Sequence, residues 1–110
     1  MDSTVTLTKP GSKAKIVLDY SQIKKAAMVL RAVNHGLRQS IIKLLEKKQD
    51  MVVTDIYVKL RIEQSVASQH LAILRKAGVV DTKRDGKFIH YSLNKARLEE
   101  ISGFVDDLVE

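Results

Sequence analysis

The spacing of the apolar residues changes from a helical to a strand period at Gly78, and this change constrains the fold more than any other feature. Over residues 21–77 apolar side chains recur three and four positions apart, which is typical of amphipathic helices. Over residues 79–93 they alternate with polar residues, as in a half-buried strand pair. Helical spacing returns over residues 95–109. The sequence therefore predicts several helices, a β-hairpin and a closing helix.

Residues 21–77 divide into four predicted helices. The first starts near Ser21, and the triplet Asn34-His35-Gly36 ends it before the second, which runs into a charged stretch at residues 46–50. The third covers residues 54–60, and the fourth runs from residue 64 or 65 to Ala77, with Gly78 suited to the left-handed position after a helix end. Because only three or four residues separate the last two helices, they predict a helix-turn-helix.

Residues 1–19 lack a sustained apolar period and contain Thr, Ser, Lys and a Pro10-Gly11 turn signal. We expect a flexible N-terminal arm there, in which the alternation of Val5, Thr6 and Leu7 is compatible with a short strand. The remaining residues, 20–110, are expected to form one domain, because a chain of 110 residues that is 45% hydrophobic can bury one core.

The fourth helix has two distinct faces. Ala67, Leu71 and Leu74 fall on one side, which we assign to the core. The opposite side carries hydroxyl and amide groups that can hydrogen-bond base edges, and residues 64–77 contain no acidic residue that would repel phosphates. A solvated polar face is the alternative. The predicted base-contacting residues are Gln64, Ser65, Ser68 and Gln69.

The predicted hairpin has a cationic tip, because residues 83–87 contain three basic side chains. Such a projecting element suits phosphate or minor-groove contact beside a helix in the major groove. For His70, packing or a local hydrogen bond is the alternative to a phosphate contact. Strand alternation predicts that Ile89, Tyr91 and Leu93 face the core. The predicted DNA-backbone contacts are His70, Arg75, Lys76, Lys83, Arg84 and Lys87.

The charges are distributed unevenly along the chain. Its 19 basic and 13 acidic residues give a net charge of +6, but residues 97–110 hold five acidic residues and one basic residue, so residues 1–96 carry +10. A basic body favours a polyanionic partner. An aromatic content of 5% argues against RNA as that partner, because RNA-binding surfaces stack bases on aromatic rings.

Several classes of protein are excluded. A chain with no cysteine has no disulfide, thiolate metal site or thiol nucleophile. Its longest uncharged run has 11 residues, at positions 64–74, well short of the roughly 18 apolar residues of a membrane helix. No phosphate-binding glycine loop or nucleophile motif is recognisable, so we expect neither an enzyme nor a cofactor. The expected location is the cytoplasm, with no membrane partner.

Residues 64–80, 83–87 and 91–93 together resemble the recognition helix and wing of the ArsR/SmtB winged-helix repressors, and residues 34–45 resemble that family's second helix. Gly36 stands where a proline is usual. The resemblance implies a mainly α winged helix-turn-helix with a two-stranded β-wing, and a homodimer paired through the first and last helices. Those helices carry apolar stripes that would form the interface, at Ile23, Ala27, Leu30, Leu98, Ile101, Val105 and Leu108.

The chain departs from this family at its metal sites. Val52 and Thr54 occupy the positions of the arsenic-type cysteines, and residues 95–110 contain no histidine of the kind that zinc-type members use. Asp106 and Glu110, four apart on an acidic helix, are interpreted as solvated carboxylates. We therefore expect no metal site.

Two functions from different classes remain. The first is a sequence-specific regulator of double-stranded DNA, a repressor that acts as a homodimer on an inverted-repeat operator. The second is a winged-helix interaction module that binds an acidic protein. The sequence leaves open whether a small molecule or another protein acts as effector.

Overall fold

The structure is a computed structural model that describes residues 4–11 and 13–110. It is a mainly α winged helix-turn-helix. The five helices are α1 (Tyr20–Val33), α2 (Gly36–Lys48), α3 (Val53–Leu60), α4 (Gln64–Lys76) and α5 (Lys95–Val109). The five strands are β1 (Thr4–Thr8), β2 (Lys15–Asp19), β3 (Met51–Val52), β4 (Val80–Asp85) and β5 (Phe88–Leu93).

The core lies between α2, the helix-turn-helix and the start of the wing. Its largest fully buried side chains are Ile41, Leu45, Ile56, Leu71, Leu74, Val79 and Val80. Burying an aliphatic side chain of this size contributes about 1.5–3 kcal/mol. The helix-turn-helix is therefore held by its own inner face, as the spacing of Ala67, Leu71 and Leu74 predicts.

Helices α1 and α5 lie outside this core. Ala32 is the one buried residue of α1, and α5 has none. The radius of gyration of 18.0 Å exceeds the roughly 13 Å typical of a compact chain of this length. The first and last helices consequently leave apolar surface exposed within a single chain.

Helix α4 ends in a Schellman motif at the predicted glycine. The Val79 N–H donates to the Leu74 carbonyl at 2.9 Å, and the Gly78 N–H donates to the Arg75 carbonyl at 3.0 Å. This pair of bonds satisfies carbonyls at the helix end and requires a left-handed residue, which Gly78 supplies with φ of +78°. The chain then turns directly into β4.

The wing differs from the prediction in two details. A third strand, the two-residue β3, pairs antiparallel with β5, so the sheet order is β3-β5-β4. Asp85 pairs with Phe88, which makes Gly86 and Lys87 the turn residues in place of the predicted Asp85-Gly86. A φ of +62° at Gly86, the first central position, suits a hairpin turn of the II′ type.

The predicted alternation of inward and outward side chains in β5 holds only where the strand lies against the core. Tyr91 and Leu93 pack against the core. Ile89, also predicted to face inward, is 40% exposed, so that prediction is wrong. Ile89 pairs with Arg84 one step from the turn, where the wing extends past the core.

The N-terminal segment is more ordered than the predicted arm. Strands β1 and β2 pair antiparallel in register from Thr4 with Asp19 to Thr8 with Lys15, and Gly11 in the connection has φ of +73°. The alternation of residues 5–7 is compatible with β1, as predicted. Strand β2 was not predicted, because its apolar residues are consecutive and do not alternate with polar ones. Residues 1–3 and 12 lie outside the described part, and the division of the chain at residue 19 stays a prediction.

Within the described part of the chain, no helix has the length and apolar character needed to cross a membrane.

Replacing Gly78 by Ala is expected to destabilise the protein by about 1–2 kcal/mol, because a side chain disfavours the left-handed conformation. The added Cβ would also lie 3.3 Å from Arg97 Nε. Urea unfolding at fixed protein concentration measures the change. Gly36→Ala is the matched control, since its Cβ meets open space and its φ is not positive. Equal unfolding free energies for the two variants would contradict this account.

Candidate nucleic-acid interface

The outer face of α4 is free for a ligand. Ala67, Leu71 and Leu74 are fully buried, whereas all four predicted base-contacting residues are exposed. Ala72, also exposed, has a small side chain, so the centre of this face projects little from the helix. The helix therefore presents short hydrogen-bonding side chains on a rigid support, as contact with base edges requires.

A buried arginine fixes α4 to the helices behind it. Arg38 is 7% exposed, and its Nε donates to the carbonyl of Ala32 at 2.6 Å. Its Nη2 donates to the Arg31 carbonyl at 3.1 Å, and its Nη1 lies 3.1 Å from Nδ1 of His70 on α4. One guanidinium thus joins the end of α1, the start of α2 and the recognition helix. The sequence analysis did not single out Arg38, because an arginine in a polar helix segment looks like a solvated charge.

His70 takes part in this contact as an acceptor. Since a guanidinium only donates, Nδ1 of His70 accepts and the ring proton of the neutral form lies on Nε2. The ring centre is 4.9 Å from that of His35, which caps α2 by accepting a hydrogen bond from the Leu37 N–H. Burial, then the charges of His35 and Arg38, lower the pKa of His70. Of the two alternatives for His70, the local hydrogen bond is present; a phosphate contact stays a prediction.

The cations predicted to contact the DNA backbone occupy two places. Arg75 and Lys76 are exposed in the last turn of α4. Lys83, Arg84 and Lys87 are exposed at the wing tip. The Arg84 Nε donates to the Gly86 carbonyl at 3.1 Å, which orders this side chain across the turn.

The wing is anchored at its base as well as by its strands. His90 Nδ1 lies 2.6 Å from Asp50 Oδ1, a contact across 40 positions between β5 and the residue before β3. Lys87 Nζ lies 5.6 Å from the centre of the Phe88 ring, within the range of a cation–π interaction. The first contact ties β5 to the residue before β3, and the second orders a side chain within the wing itself.

The predicted dimer residues lie on α1 and α5, and four of them, Ala27, Leu30, Ile101 and Val105, line the grooves between the two helices. Ile23 and Leu108 are exposed, and the other five are half-buried. Leu98 and Ile101 also pack against the core of their own chain. A groove between the two helices is lined by Ala26, Val29, Leu30, Arg97, Glu100, Ile101 and Phe104.

Two of the histidines are neighbours in the structure. His35 and His70 are adjacent, although both use Nδ1 in the hydrogen bonds described above. Over residues 4–11 and 13–110, no three His, Asp or Glu side chains cluster as metal ligands would.

An exposed, acid-free recognition helix beside a basic two-stranded wing defines a winged-helix DNA-binding protein. Residues 36–82 match the family described as bacterial regulatory protein, arsR family. The chain is 36% identical over 85 residues to an uncharacterized HTH-type transcriptional regulator of Methanocaldococcus jannaschii, covering 77% of this chain and 96% of that protein. It is 33% identical over 84 residues to the transcriptional repressor PagR of Bacillus anthracis, covering 76% and 84%.

A solved structure agrees with these matches. The structure of NolR from Sinorhizobium fredii aligns with a TM-score of 0.67 at 30% identity, over 92% of this chain and 96% of that one. The chain belongs to the arsR family. It is a DNA-binding transcriptional regulator and not an enzyme.

The unfolding free energy is expected to fall as the pH drops below the ordinary histidine value of 6.5. Because the pKa of His70 is lowered in the folded state, the unfolded chain binds this proton at a higher pH than the folded chain does. The contribution of neutral His70 to the unfolding free energy is therefore complete above pH 6.5 and is lost as the pH falls toward the lowered pKa. A proton on Nδ1 would also face the donor Arg38.

Urea unfolding of the wild type and His70→Gln at about pH 7.5 and about pH 5.5 measures this effect across the titration range of histidine. Glutamine keeps an acceptor for Arg38 but does not titrate, so the wild type should lose more stability between the two pH values. A difference between the two proteins that is the same at both pH values would exclude His70 as the source.

Proposed function

We propose that this chain is a homodimeric, sequence-specific repressor that binds an inverted-repeat operator in the cytoplasm. The observation that carries the proposal is the outer face of α4, which is exposed, free of acidic residues and flanked by the wing cations. A repressing rather than activating role is supported by a relative named as a transcriptional repressor, PagR.

The contacts divide into two kinds. Gln64, Ser65, Ser68 and Gln69 would meet base edges in the major groove, since their groups donate and accept hydrogen bonds. Arg75, Lys76 and the three wing cations would meet phosphates, which position the protein without distinguishing sequences. His70 would reach a phosphate only through Nε2, because Nδ1 is engaged with Arg38.

The unburied apolar surface of α1 and α5 supports the dimer. A second copy that covers this surface would pair identical faces around a two-fold axis. Two α4 helices would then enter successive major grooves, with half-sites roughly 34–36 Å apart. We propose no metal effector. An effector of this regulator would instead be a small molecule or another protein.

Sedimentation equilibrium is expected to give a dimer at micromolar concentration, and selection from a random DNA pool is expected to yield inverted repeats. The dimer is expected because the apolar stripes on α1 and α5 need a partner surface. Inverted repeats are expected because the two DNA-binding helices of such a dimer are related by a two-fold axis. A monomer that selects single half-sites would contradict the proposal. Binding that shows neither sequence preference nor a steep fall with salt would favour an acidic protein partner instead.

Gln69→Ala is expected to cost about 1–3 kcal/mol on the selected operator and little on random DNA, because an amide at a base edge carries specificity. Lys87→Ala should weaken binding to both DNAs alike and reduce the salt slope by about one unit. Fluorescence anisotropy titrations on both DNAs over a salt series measure these effects, and each variant serves as the other's control. Equal losses on both DNAs for Gln69→Ala would place this residue among the backbone contacts.

A further inference from the structure

The N-terminal hairpin has one apolar face that its own chain covers only in part. Val5 pairs with Leu18 and Leu7 pairs with Ile16, so these four side chains share one face. The opposite face carries three threonines together with Lys15, Val17 and Asp19. Leu7 and Ile16 are each 47% exposed. A two-stranded hairpin is marginally stable alone, so an open apolar face needs a partner surface.

The hairpin is also basic and is joined firmly to α1. Lys9 and Lys13 lie in the connection between its strands, Lys15 begins β2 on the opposite face, and residues 4–18 contain no acidic residue. Asp19 ends β2 and caps α1, accepting hydrogen bonds from the Ser21 N–H at 3.0 Å and the Ser21 hydroxyl at 2.6 Å. The hairpin therefore stays at the N-terminal end of α1.

The free end of α5 has the complementary character. Leu108 and Val109 are 66% and 76% exposed. Asp106, Asp107 and Glu110 surround them, in the one strongly acidic stretch of the sequence. An apolar patch with an acidic rim matches an apolar patch with a basic rim.

Within one chain the hairpin does not cover the free end of α5, since Leu108 and Val109 stay exposed. One groove between α1 and α5 is lined by Ala26, Leu30, Arg97 and Ile101, and a second by Ala27, Leu30, Val33 and Val105. The two helices therefore adjoin in this chain, and the hairpin precedes the N-terminal end of α1.

We propose that the apolar face of the hairpin docks on the free end of α5 of a second copy of this chain. The inference rests on the proposed homodimer. A two-fold axis that pairs the α1–α5 surfaces of two copies would place the α5 end of each copy beside the hairpin of the other. Each dimer then contains two such contacts, which extend the α1–α5 interface at both edges.

The apolar part of the contact is tested by paired variants on one strand. Ile16→Ser is expected to raise the dimer dissociation constant at least tenfold in sedimentation equilibrium. Val17→Ser removes an apolar side chain of β2 that is 60% exposed on the opposite face, and should change the constant less than about threefold. Thermal unfolding checks that both variants fold. Equal effects of the two variants would overturn the proposal.

The charged part of the contact is tested by mixing two charge-reversed variants of the chain at low salt. One carries Lys9→Glu and Lys13→Glu, and the other carries Asp107→Lys and Glu110→Lys. Each homodimer then has two repulsive contacts, whereas the heterodimer has two attractive ones. Native mass spectrometry is expected to find the heterodimer enriched several-fold over the statistical proportion, and less enriched at high salt.

The outcomes separate this inference from the proposed function. Statistical mixing of chains that still dimerise would overturn the hairpin contact and leave the proposed dimer intact. A wild-type protein that is monomeric in the same measurements would overturn both.

Discussion

The structure depends on a buried positive charge, that of Arg38, which has no carboxylate partner among residues 4–11 and 13–110. The guanidinium of Arg38 is stabilised by hydrogen bonds to the carbonyls of Arg31 and Ala32, which lie at the end of α1, where the helix dipole is negative. Leaving a buried charge uncompensated is costly, so this contact fixes where α1 ends relative to α2. The third nitrogen, Nη1, faces His70, so the same charge orients the helix whose outer face we propose to contact DNA.

The outer face of α4 is therefore held in place by contacts that the other sides of this helix make. The inner face of α4 is held by aliphatic packing, its C-terminal end by the Schellman motif and its flank by Arg38 and His70. The wing is fixed by pairing with β3 and by the contact between His90 and Asp50. None of the predicted base-contacting side chains is needed to hold the fold, which leaves them free to differ between regulators with the same architecture.

Much of this arrangement could be predicted from local patterns. Helix α5 begins and ends at the predicted residues, and the two faces of α4 follow from a simple helical projection. Gly78 marks the end of α4 because few other residues tolerate its backbone conformation. Strand β3 could not be predicted, since two residues have no period. The buried role of Arg38 depends on His70, which is 32 positions away, and no local pattern contains that information.

The separation between the core and the exposed stripes of α1 and α5 has a consequence for cells that hold several regulators of this fold. The fully buried side chains lie on α2, α3, α4 and the start of the wing, whereas α5 has no buried residue. In the proposed homodimer, substitutions along the outer edge of α1 and α5 would therefore alter which chains associate without repacking the DNA-binding head. Duplicated genes with this architecture would then lose cross-association before the operators of their products diverge.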